Sequence, residues 1–240
     1  MDWIEVVIVL ATGFVAATLG SLTGAGVTVV LLPVLIFFLG IRMASPVETL
    51  ALVASTLGRT WLYRREIVLP VVGWFVLGGL PSVLLGTLLF TRSSPELLTR
   101  LFGVFLLLMV LWRRFAPQPP EKHAAAWFLP IGLVLGFLQG ITSGLGSMMA
   151  PFYLAFGLRK GAYVGTAALG ALIIILSKLA VFGQQAFLTR EVLLYGFMLF
   201  PAIFAGSWFG RVIMNRISER AFVVLIEVLM VVSGLLFLFR

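Results

Sequence analysis

A chain of 240 residues that is 61% hydrophobic and 11% charged, with a mean hydropathy of +1.16, cannot cover itself with a water-facing surface; soluble domains carry about 25% charged residues. Its 17 Lys and Arg outnumber 9 Asp and Glu, but these cations stand mostly singly or in pairs between apolar runs, without aromatic–basic platforms or zinc spacings, which excludes nucleic acid as the partner. The absence of cysteine excludes disulfides, thiol redox chemistry and Cys-ligated metals.

The N-terminus reads Met1, Asp2, Trp3, Ile4, Glu5, acidic where a signal peptide is basic, so the first apolar segment is expected to stay in the mature protein. Apolar runs occupy 6–22, 27–40, 45–63, 67–91 and 97–112. A linker at 117–123, with Pro117, Pro119 and Pro120, separates them from runs at 126–142, 147–157, 161–182, 191–214 and 221–239. The expected fold class is therefore an all-α polytopic membrane protein. The second run of each half is too short for a full span of roughly 20 residues. Each follows a glycine cluster and contains Pro33 or Pro151. Short broken or half-helices are predicted there, since irregular backbone at membrane depth survives only inside protein or along a watery cavity.

The two halves repeat one another. Gly20, Gly24 and Gly26 return as Gly140, Gly144 and Gly146, Thr23 as Ser143, and Pro81 and Gly86 as Pro201 and Gly206. This divides the chain into a first membrane repeat at 1–116 and a second at 124–240, each of about five segments, giving eight to ten spans. If every run crosses, one side holds Arg64, Arg65, Arg113, Arg114, Lys122, Arg159, Lys160, Arg211, Arg216 and Arg220. The other holds Arg42, Arg92, Arg100, Arg190 and Arg240. Returning the short runs to their own side evens out this bias, so the positive-inside rule favours ten crossings, with both termini outside and the halves inverted.

Two readings of the glycine clusters are open and compatible. Small residues at i and i+4 let helix backbones approach closely. Gly24, Ala25 and Gly26, with Gly144, Leu145 and Gly146, also read as breaks that free backbone N–H groups at a helix N-terminus, a favourable place for an anion. Thr23, Thr142, Ser143 and Ser147 add hydroxyls. Arg59 and Lys178 lie within the third apolar run of each half. A charge at mid-bilayer costs on the order of 3 kcal/mol, so each either snorkels to the headgroups or faces a cavity or a partner. Glu48 begins one apolar run and Glu227 lies inside another; either is a candidate proton carrier, and Glu227 reads equally as a structural ion pair or dimer contact. His123, the sole histidine, falls in the linker and reads as a solvated residue. No HExxH, phosphate loop, potassium-filter sequence or intramembrane catalytic pair is present, so an enzyme is not expected and neither metal nor cofactor is called for.

The segment GSLTGAG at 20–26 followed by LPVL at 32–35 resembles the first signature of the sulfite exporter TauE/SafE family of membrane permeases. Val47, Glu48 and Thr49 fit its next element, as do Val164, Gly165 and Thr166 in the second half. Gly78, Gly79, Leu80, Pro81 and Gly86, echoed by Pro201 and Gly206, fit the segment after it. The resemblance implies transport of small sulfur-containing anions such as sulfite, sulfonates or sulfoacetate, usually outward across a bacterial inner membrane. On this reading the two halves rock about a central site. Thr23, Gly24, Gly26, Ser143, Gly144 and Gly146, with the Thr142 hydroxyl, would hold the anion head. Thr49 and Thr166 would line the route, Arg59 and Lys178 would set the field, and Glu48 or Glu227 would couple protons. A homodimer is compatible with this reading. The rival readings are an uncoupled anion channel and a structural membrane subunit without transport.

Overall fold

The fold is described by a computed structural model over residues 3–23, 27–115, 124–142, 146–158, 160–213, 228, 231, 232 and 234–238. Every regular element among them is helical: α1 Trp3–Thr23, α2 Leu32–Leu39, α3 Ile41–Leu62, α4 Leu69–Arg92, α5 Pro95–Phe115, α6 Phe128–Ile141, α7 Gly146–Ala155, α8 Lys160–Gln184 and α9 Arg190–Ile213. Each apolar run up to residue 213 becomes helical within a few residues of its expected bounds, the second of them in two pieces.

Both short runs fold as short helices. Ahead of α2 lies a π-helical turn, Val27–Leu31, which periodicity did not anticipate. Pro33 near the start of α2 supplies no N–H for the carbonyl of Val29 and crowds it, and a widened turn relieves both problems. The helix stops at Gly40, whose φ of +71° only glycine adopts without strain and whose N–H reaches the carbonyl of Ile36. In the second half, α7 is 10 residues long and contains Pro151.

The chain forms two compact units, each drawing on both halves of the sequence. The first comprises Met1–Ala51, Ser93–Ala116 and Phe187–Arg240. Its α1 packs along α9, where Gly206 lies against the backbone carbonyl of Phe14 and a side chain there would collide with it. The Thr18 hydroxyl links the same two helices, 3.1 Å from the carbonyl of Gly206. On α5, Phe102 is buried against Phe105 and Phe237. Arg42 donates to the carbonyl of Ser93 at 2.9 Å, tying the start of α3 to the segment before α5.

The second unit comprises Leu52–Arg92 and Pro117–Ala186. At its centre α4 packs on α6 and α8. Gly78, Gly79 and Gly86 on α4 face Gly132, Gly136 and Gly140 on α6, close enough that a Cβ on Gly132 would strike the carbonyl of Phe75 and one on Gly78 the carbonyl of Leu129. The Ser82 hydroxyl lies 3.3 Å from the carbonyl of Gly132. On α4 the inward face carries Gly78, Gly79, Ser82, Val83, Gly86, Thr87 and Phe90, whereas Leu77, Leu85 and Leu89 face out. Small and hydroxylated residues inside and leucine outside is the reverse of a water-soluble helix, and it is how helices pack in lipid. Three helical stretches among the described residues, Leu69–Arg92, Gly161–Gln184 and Arg190–Phe209, are long and apolar enough to cross a membrane.

Candidate functional site

Lys178 lies three-quarters of the way along α8 and is 0% exposed. An ammonium at such depth needs compensation. Its Nζ donates to the backbone carbonyl of Gln139 at 3.0 Å. The rings of Phe182 and Phe90 stand 5.4 Å and 5.8 Å from the same atom, within the reach of about 6 Å at which an aromatic face attracts a cation. Phe90 and Phe182 hold one another edge to face at 5.5 Å, bringing α4 and α8 together around the charge. Gln139 belongs to the last turn of α6, so the ammonium sits at the negative end of that helix dipole. Lys178 is thus an interior cation, and snorkelling does not describe it.

Just beyond Gln139, Thr142 closes α6. It is buried, and its hydroxyl donates to the carbonyl of Leu138 at 2.8 Å. Ser143 and Gly144 lie outside the described residues, and α7 opens at Gly146. The end of α6, which receives the Lys178 ammonium, is followed directly in the chain by the second glycine motif. Thr166 is elsewhere on α8, twelve residues and about 18 Å along the axis from Lys178. Its hydroxyl oxygen accepts the N–H of Val68 at 3.0 Å and holds the segment before α4 against α8. Arg59 occupies the last turn of α3, half-buried, and its Nε donates to the carbonyl of Ser55 at 3.2 Å. It is tied to its own helix end.

In the first unit, Glu48 is fully buried on α3 and its Oε1 accepts the hydroxyl of Thr28. Thr28 belongs to the π-helical turn that follows the first glycine motif, so carboxylate and motif are linked through one side chain. Thr49 is buried beside it and donates to the carbonyl of Ser45 at 2.6 Å. Thr23 ends α1, although its side chain, Gly24, Gly26 and Glu227 lie outside the described residues. Sequence reasoning missed Thr28, Gln139, Phe90 and Phe182. The first two could have been suspected, as polar residues inside apolar runs beside a glycine motif. Nothing local marks the two phenylalanines.

Nearly the whole chain matches a single family. Residues 9–237 match the family described as Sulfite exporter TauE/SafE. The chain belongs to the TauE/SafE family. It is also 22% identical over 263 residues to "Probable membrane transporter protein YunE" of Bacillus subtilis (strain 168), with 95% of each protein covered. No solved structure matches. In this TauE/SafE member the helix end that leads into the second glycine motif is thus met by a lysine shielded from solvent. Shielding matters because a charge in a medium of low dielectric acts on an anion far more strongly than the same charge in water.

Proposed function

We propose that this TauE/SafE protein is a secondary transporter that exports small sulfur-containing anions, of the sulfite and short-sulfonate class, across a bacterial inner membrane. The observation that carries the reading is Lys178, an interior ammonium held at the end of α6 where the second glycine motif begins. A tetrahedral SO₃ head presents three oxygens in a cone, and a cation with a few hydroxyls and backbone N–H groups is the donor set that suits it. Thr142, Ser143, Gly144 and Gly146 surround the head in this reading, and Thr23, Gly24 and Gly26 form the repeat-related counterpart. Thr142 reorients its hydroxyl away from Leu138 to donate. Arg59 guides anions at the end of α3, and Thr49 and Thr166 border the route.

Transport proceeds by alternating access between the two repeats, and Glu48, or Glu227, carries the coupled proton. The test is flux of labelled sulfite and of a short alkyl sulfonate in proteoliposomes, for the wild type and for Lys178→Ala. Saturable wild-type flux that falls at least about tenfold in the variant, equivalent to 1.4 kcal/mol, is the expected result. Equal flux in both sinks the electrostatic site. Flux of neither anion sinks the substrate class. Conductance beyond carrier turnover would instead mark an uncoupled anion channel.

A further inference from the structure

The turn between α3 and α4 carries a second constellation that the transport reading does not use. Residues 61–66 line an open concavity of about 390 Å³. Within it the guanidinium of Arg64 lies 4.1 Å above the ring of Trp61, which is 72% exposed. Arg65 and Glu66 are exposed beside it. The turn is firmly seated. Val68 donates to Thr166, and Tyr63 and Ile67 lie so close to Gly165 that a side chain there would strike them. The Glu66 carboxylate rests on Gly161, directly after Arg159 and Lys160 in the chain. One acid is therefore set among two arginines and, in sequence, two further cations.

The flanks of the concavity are apolar. Leu62 and Leu69 are 54% and 66% exposed on either side of the arginines. A soluble anion has no use for exposed leucines, whereas an amphiphile with a phosphate head has a use for both. Tryptophan favours headgroup level, and Trp61 lies just ahead of α4, one of the helices long and apolar enough to cross a membrane. Basic pockets on the cation-rich side of membrane proteins suit anionic lipid heads, each Lys or Arg near the surface contributing about fivefold in affinity. Arg64, Arg65, Arg159 and Lys160 all fall on the cation-rich side in the ten-crossing topology.

We infer that the α3–α4 turn is a binding site for the phosphate head of an anionic phospholipid, gripped by Arg64 and Arg65 with its chains along Leu62 and Leu69. The site stands apart from Lys178, so the inference does not depend on what the protein transports.

The full-length protein in neutral detergent is titrated with dioleoyl phosphatidylglycerol or dioleoyl phosphatidylcholine, and bound lipid is counted by native mass spectrometry. The wild type is expected to retain the anionic lipid in preference. The double substitution Arg64→Gln/Arg65→Gln should weaken that preference by about fivefold per arginine. Arg64→Lys/Arg65→Lys should keep most of it, a rescue that a purely structural role would not show; it also serves if the glutamine variant fails to fold. Arg92→Gln, at the opposite end of α4, should leave retention unchanged. Equal retention of both lipids by the wild type, or equal losses in the Arg92 variant, overturns the assignment. Displacement of the lipid by millimolar inorganic phosphate would show a site for free phosphate and overturn it as well.

Discussion

At the scale of single residues, Lys178 carries the sharpest consequences. Its ammonium donates to a backbone carbonyl and faces two aromatic rings, and holding a full charge away from water carries a desolvation cost. Removing the charge while keeping the bulk therefore relieves a desolvation cost, as replacement of buried ions by apolar residues often does. Lys178→Met is expected to melt at or above the wild-type temperature in detergent while losing sulfite binding. A variant that unfolds would make the lysine a structural group and remove it from the site. The buried pair of Thr28 and Glu48 predicts the opposite sign. A hydrogen bond to a charged group contributes about 1.5–3 kcal/mol, so Thr28→Val should lower the melting temperature. Glu48→Gln retains an oxygen to accept from Thr28 but cannot exchange a proton. If Glu48 is the coupling group, flux in that variant ceases to respond to an imposed pH gradient while downhill flux persists. An unaltered response moves the coupling to another group, Glu227 being the next to test. Both buried charges were legible as candidates, because an ionisable residue within an apolar run needs a reason. Their partners were not, since Gln139 lies 39 residues from Lys178 in the chain and only packing brings the two together.

At the scale of elements, glycine positions separate into two classes that sequence alone leaves merged. Gly132 and Gly58 are both helical glycines, yet one faces a backbone carbonyl and the other faces open space. A methyl group on Gly132 would strike the carbonyl of Phe75, pushing α4 and α6 apart; overpacking of this kind costs about 1–3 kcal/mol. A methyl group on Gly58 meets nothing within 4 Å, and replacing a mid-helix glycine by alanine gains about 0.5–1 kcal/mol. Thermal melts of Gly132→Ala and Gly58→Ala should move in opposite directions, and a common direction would refute the packing described for α4 and α6. Periodicity and apolar length sufficed to locate the helices, because lipid demands long runs and proline and glycine punctuate them. The π-helical turn at Val27–Leu31 escaped, since its cause is a clash of Pro33 with a carbonyl one turn earlier and not a pattern of hydropathy.

At the scale of the whole molecule, chain order and compactness divide the protein differently. The glycine and proline correspondences pair residues about 120 apart, whereas each compact unit combines stretches from both halves, with α1 packing on α9 and α4 on α6. Self-similarity in sequence reports which segments are alike; it carries no information on which segments touch. The same gap affects the crossing number, because a charge count reads loops and not paths. With the N-terminus outside, the short helix α2 sets the outcome: if α2 crosses, the turn after α3 faces the cell interior, and if it returns, that turn faces out. The absence of cysteine makes this directly measurable, since any introduced thiol is the only one. Arg65 and Ser94 are exposed near opposite ends of α4, a helix of 24 residues and about 36 Å, enough to span the hydrocarbon. Arg65→Cys and Ser94→Cys, treated in intact cells with a membrane-impermeant maleimide, should then behave oppositely. Ten crossings with both termini outside require Ser94→Cys to react at once and Arg65→Cys only after permeabilisation. The reverse pattern refutes ten crossings with outside termini, and it would move the α3–α4 turn and its arginines to the outer face.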